Sequence, residues 1–137
     1  MSRENDGAAR VDALYRECWE LANFELVPDI LHPEIVWTAI ESAPDAGTRR
    51  GHAESHAYMA DWLESFDIEV DPIEVAGATP DGRLVCPIMA AGTEKRSGLT
   101  TEIRFAAVFS FADDGRIAEI HEYATLDEAL EAAERPE

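Results

Sequence analysis

The sequence predicts an α+β fold, with helices set against a mostly antiparallel sheet. Two patterns carry this prediction. In the first half, apolar residues recur at helical spacing. In the second half, short apolar runs alternate with glycine-containing turns, as strands joined by hairpins do.

Each element has its own signal. Val11, Leu14, Tyr15, Cys18, Trp19 and Ala22 mark one helical face and predict a helix from Ala8 to about Leu21. A short second helix covers about Phe24 to Leu31 and stops before Pro33, because the residue preceding proline is pushed out of helical backbone. Residues 34–40, "EIVWTAI", are β-branched and aromatic and read as a strand. Residues 41–51, "ESAPDAGTRRG", read as a loop. Its "PDAG" is a turn and not a phosphate loop, lacking the glycine pattern and the lysine. Ala57, Tyr58, Trp62, Leu63 and Phe66 mark a third helix from His52 to about Phe66. Residues 67–78 alternate, turn at "TPDG" and continue through 83–92. "EKRSG" turns into the long strand "LTTEIRFAAVFSF", and "ADDG" turns into the returning strand "RIAEIHEYA". Thr125 or Asp127 can cap a last helix, "LDEALEAAE". One domain over 1–137 is expected, with residues 1–7 loosely held.

The long strand is the most informative segment. Ile103, Phe105, Ala107, Phe109 and Phe111 make one apolar face. Its other face, Arg104, Ala106, Val108 and Ser110, is too apolar for a freely solvated surface. Something else must cover it, and a second copy of the chain is the simplest cover.

Composition excludes several classes. The net charge is −18, and Lys95 is the one lysine among 11 basic residues. Such a surface repels phosphate backbones and anionic membranes, so neither nucleic acid nor membrane is an expected partner. No apolar run approaches a membrane span and the start is polar, so a cytoplasmic protein is expected. Cys18 and Cys86 follow no ligand spacing and read as free buried thiols. His52 and His56 stand four apart on the third helix, as zinc ligands can. A closed site needs more ligands, and the HExxH motif puts glutamate directly after the first histidine, where this chain has Ala53. His32 and His121 belong to other elements. No metal and no organic cofactor is expected.

Three stretches, "LHPEIVW", "PDAGTRRG" and "EIRFAAVFSFADDGRIAEIHEYATLDEALEAA", resemble the SnoaL-like branch of the nuclear transport factor two-like superfamily, which includes the ketosteroid isomerases. The resemblance runs from about Val11 to Ala133. It implies a curled sheet wrapped by three helices into a cone around an apolar pocket, a cystatin-like roll, with a short C-terminal helix added. It also implies a homodimer through the outer sheet face, here Arg104, Ala106, Val108, His121 and Tyr123.

The resemblance permits a residue-by-residue test of function. Ketosteroid isomerases place an aspartate base in the first strand, where this chain has Thr38, and an acid eight residues before the hairpin glycine, where it has Ala107. Limonene epoxide hydrolases need Arg-x-Asp in the third strand; the chain has Arg83-Leu84-Val85. They also need an acid seven residues after the hairpin glycine, and counting from Gly115 that is Glu122. Polyketide cyclases need one acid on that same strand, which makes Glu122 the candidate catalytic residue. Glu122 shares parity with Ile120, on the face the resemblance assigns to the pocket. A carboxyl among Phe105, Ile120 and Trp62 would resist ionisation, as an acid/base requires. Tyr15, Thr38, Tyr58 and Met59 complete the expected pocket with Trp62, Phe105, Ala107, Ile120 and Glu122. Trp37, of opposite parity to Thr38, reads as packing.

Two functions fit. One is a cofactor-free isomerase, cyclase or hydrolase acting on a small apolar molecule. The other is a non-catalytic dimeric module that binds such a molecule. The expected dimer is checked by light scattering: a dimer mass at micromolar protein agrees with it, and a monomer mass contradicts it.

Overall fold

The computed structural model describes residues 3–40 and 47–134. The turn expected at "PDAG" lies largely outside them. The first helix, α1 (Arg3–Ala13), begins inside the segment expected to be loosely held. Gly7 explains part of this: a Cβ there would stand 2.9 Å from a ring carbon of Phe111, so only glycine lets the helix lie so close to the sheet. The helix then widens into a π-helical segment, Leu14–Glu20. Its buried residues are Leu14, Tyr15, Cys18 and Trp19. Ala22, in left-handed backbone at φ 55°, ends the run. Glu20 accepts a hydrogen bond from the Val70 amide at 2.9 Å and pairs with Arg16, which fixes the segment against the sheet.

A 3-10 turn, Phe24–Leu26, leads into the short α2 (Val27–Ile30). Strand β1 (Leu31–Thr38) follows. β2 (Thr48–Arg50) pairs antiparallel with it, Trp37 against Arg49. This polar strand lies inside the expected loop; "TRR" has no apolar alternation to reveal it. Next comes α3 (Gly51–Ser65), opened by Gly51 at φ 80°. Its buried face is Ser55, Tyr58 and Met59, whereas Ala57 is exposed. Phe66 starts β3 (Phe66–Val70) and does not end the helix. The alternating stretch expected to continue as one strand is broken after Val70, near Pro72, and resumes as β4 (Gly77–Ala78). The long antiparallel strands are β5 (Leu84–Glu94), β6 (Thr100–Phe111) and β7 (Ile117–Tyr123). Helix α4 (Leu126–Glu134) closes the chain, with the Thr125 hydroxyl accepting the Glu128 amide at its start.

The sheet runs β2-β1-β7-β6-β5-β3, with β4 on β5, and does not close. Among the described strand pairs β1–β7 alone is parallel, and it sets Trp37 beside Ile120. The curled inner face carries Ile88, Phe105, Phe109, Ile120 and Trp37 and holds the main core under the helices. No helix among the described residues is long and apolar enough to cross a membrane.

The outer face has a cover within the chain. Val85, Ala106 and Val108 form a second cluster with Ala129 and Ala133 of α4, joined by Tyr123, Leu126 and Leu130. The apolar outer positions that called for a second copy are thus shielded by α4 in a single chain. Arg104 and Met89, farther along the same face, stay exposed. Ala129→Asp should therefore lower the unfolding free energy by about 2–4 kcal/mol, because it buries a charge without a partner. Glu131→Gln, at an exposed site of the same helix, should change it by less than about 0.5 kcal/mol. Denaturant melts compare the two, and equal effects would mean α4 is not docked.

Candidate functional site

A cavity of about 230 Å³ lies between the helices and the inner sheet face. The π-helical segment supplies Tyr15 and Trp19, one turn apart, and α3 supplies Tyr58 and Trp62. Ile68, Val70, Ile88, Ala90, Ile103 and Phe105 line the sheet side, and Ile40 closes the end of β1. Glu122 is the one carboxylate among the described lining residues.

Strand register places Glu122. It sits opposite Ala107, on the same face as Phe105 and Phe109, and is 7 % exposed. The Trp37 indole N–H donates to its Oε2 at 3.0 Å. Trp37 is itself fully buried, edge-on to Tyr58 with ring centres 5.3 Å apart and to Trp19 at 6.1 Å. Trp19 and Tyr58 meet edge-on at 5.8 Å, so three rings brace one another beside the carboxylate. The Arg49 guanidinium lies over the Tyr58 ring at 4.3 Å, an attraction for the negative ring face.

Two other polar atoms matter. The Tyr15 hydroxyl and the Trp19 indole N–H are buried without a hydrogen-bond partner among the described residues. Buried donors are normally satisfied, so two on one cavity wall are notable. Burial pushes the Tyr15 hydroxyl well above the usual phenol range, and the negative charge of Glu122 pushes it further. It therefore stays protonated, able to donate.

The structure places the expected pocket residues in three groups. Tyr15, Tyr58, Trp62, Phe105 and Glu122 share the cavity wall. Met59, Ala107 and Ile120 are fully buried in the core around it but are not on its lining. Thr38 pairs with His121 on the outer face. It lines a separate cleft of about 390 Å³ with Ala39, Ile40, His121, Glu122, Tyr123, Ala124 and Glu128, where β1 and β7 end. Parity is the reason: Trp37, one residue earlier, takes the inward position. The apolar residues of "EIVWTAI" fall on both faces, so alternation alone could not assign them. Trp19 was not among the expected pocket residues; its place four residues after Tyr15 on the same apolar stripe is the signal that could have found it.

The paired histidines have other contacts. His52 Nε2 hydrogen-bonds the Leu31 carbonyl at 2.7 Å, and His56 packs on Phe24 at 4.3 Å between ring centres. Among the described residues, no cluster of three or more His, Cys, Asp or Glu could hold a metal ion. Burial pushes the thiols up, Cys18 to about 11 and Cys86 to about 12, so both are protonated near neutrality and poor nucleophiles.

This architecture has known counterparts. The profile of the SnoaL-like domain matches residues 11–120, and the chain belongs to that family. No curated protein matches it. Among solved structures, a candidate polyketide cyclase from Xanthomonas campestris pv. campestris is 18 % identical, with a TM-score of 0.73 over 93 % of this chain and 96 % of its own. A nuclear transport factor two-like protein from Burkholderia xenovorans is 22 % identical, with a TM-score of 0.70 over 96 % and 97 %. An epoxide hydrolase of the limonene epoxide hydrolase-like type from M. tuberculosis is 18 % identical, with a TM-score of 0.66 over 94 % and 90 %. At such identities the likeness is one of fold, and the α+β cone is shared.

Proposed function

We propose that the cavity takes up a small, mainly apolar molecule bearing one hydrogen-bond acceptor, and that Glu122 moves a proton on it. The observation that carries this is a single buried carboxylate on an otherwise apolar cavity wall, two of whose side chains, Tyr15 and Trp19, hold buried donors without a partner among the described residues. A carbonyl or ether oxygen satisfies those donors, while the rest of the molecule meets isoleucines and aromatic rings. Pockets for drug-sized ligands run to about 300–1,000 Å³, so this smaller cavity suits one or two rings, on the order of ten heavy atoms.

The chemistry follows from the count of carboxylates. Glu122 removes a proton from carbon beside a carbonyl and returns it elsewhere on the same molecule. Tyr15 and Trp19 steady the oxygen as it gains charge. One acid/base suits isomerisation or ring closure. Hydrolysis fits less well, since Arg83-Leu84-Val85 offers no second acid to activate water. The cyclase and hydrolase names among the structural neighbours agree with acid/base work in this fold. The lack of a second carboxylate on the described wall also favours an alternative: binding without turnover.

A panel of small cyclic ketones and enones, screened for binding by thermal shift and for turnover, separates the two. With turnover, Glu122→Gln should lower the rate by about 10²–10⁴ and leave affinity nearly unchanged. Unchanged turnover in that variant would contradict the role of Glu122. Binding without turnover, weakened in Tyr15→Phe, would support the binding module. No binding by any member would contradict the ligand class.

A further inference from the structure

We propose that Trp37 is the positioning residue for Glu122: its indole N–H holds one carboxylate oxygen, so that the acid rests ionised and acts first as a base. This rests on Glu122 being the working acid of the cavity, and it adds what sets that acid's resting state and aim. Three observations carry it. First, the 3.0 Å hydrogen bond has a donor that can only donate, since an indole nitrogen has no lone pair to accept with. A donor-only partner favours the charged form of a carboxylate over the neutral one, and opposes the cost of burying that charge. Second, the donor cannot easily turn away. Trp37 is fully buried, pairs with Ile120 and Arg49 on either side in the sheet, and is braced edge-on by Trp19 and Tyr58. Third, Trp37 does not line the cavity, so it reaches a bound molecule only through its neighbours, of which Glu122 is the one its indole N–H holds.

The consequence is an order of events. A carboxylate that rests ionised begins by taking a proton, so the molecule it serves must present an acidic C–H beside a carbonyl. A resting neutral acid would instead begin by donating to an oxygen. Other titratable groups face Glu122 from the surrounding elements. Tyr15 comes from the π-helical segment, Tyr58 from α3 and Cys86 from β5, while His121 and Glu128 stand in the outer cleft. The Tyr15 hydroxyl and the Cys86 thiol are held in their neutral forms by burial. His121, next to Glu122 in the chain and lining the same outer cleft, is the imidazole to control for.

The test needs no ligand. In the full chain, the Glu122 carboxyl carbon is followed by nuclear magnetic resonance against pH, its signal assigned by loss in Glu122→Gln. The Trp37 indole N–H resonance should move with the same midpoint, and should lose that titration in Glu122→Gln. Running both in a His121→Gln background removes the imidazole. In Trp37→Phe, which keeps a ring and deletes the donor, the Glu122 midpoint should rise by about one to two pH units. An indole resonance indifferent to the Glu122 titration would overturn the proposal, as would an unchanged or lowered midpoint in folded Trp37→Phe. If that variant does not fold, the wild-type indole resonance decides alone. Failure of the ligand panel leaves this titration untouched, so the two readings fail separately.

Discussion

A carboxylate buried among aromatic rings is costly unless donors meet it, and Trp37 supplies one to Glu122. The two residues are 85 apart in the chain. They come together because β1 runs parallel to β7, which sets Trp37 beside Ile120, two residues before Glu122. The rest of the inner layer serves that arrangement. Trp19 and Tyr58 brace the indole from two helices, and Glu20 ties one of those helices to β3 through the Val70 amide. The site is thus a property of the layered packing and not of a loop.

The cavity wall divides its work along the chain. The sheet contributes methyl groups and rings, with Glu122 as the exception. The π-helical segment contributes donors. Widening the helix at Leu14–Glu20 changes how successive side chains are aimed, and it is here that Tyr15 and Trp19 join the cavity wall with hydroxyl and indole N–H buried and unpaired among the described residues. Leaving two donors unsatisfied lowers the stability of the free protein, so a bound acceptor has something to gain there. The outer layer has a separate role. α4 seals Ala106 and Val108 from water, which lets β6 carry apolar side chains on both faces.

The main architecture was legible because its signals are local. The alternation of "EIRFAAVFSF", the glycine turns and the helical stripe of Val11 to Trp19 each fix an element within a few residues. Glu122 came by a different route, from the resemblance, which assigns an acid to the seventh residue after the hairpin glycine; the structure sets that residue on the cavity wall. What escaped depends on distant pairing or on weak patterns. β2 is polar and short, so only its pairing with β1 makes it a strand. "EIVWTAI" is apolar on both faces, so Thr38 was expected in the cavity where Trp37 takes the inward place. α4 was foreseen as a helix, but its small alanines gave no sign that they seal the outer sheet face. The indole–carboxylate bond joins positions that no local pattern connects.

The central claim is that Trp37 and Glu122 form one energetic unit at the base of the cavity. A double-mutant cycle on folding stability tests it most directly, with Trp37→Phe removing the donor and Glu122→Leu removing the acceptor. Each single change breaks the same hydrogen bond, so the cycle isolates what the pair contributes together. The double variant should therefore be more stable than the sum of the single effects implies, by about 1.5–3 kcal/mol. Additivity within about 0.5 kcal/mol would contradict the claim.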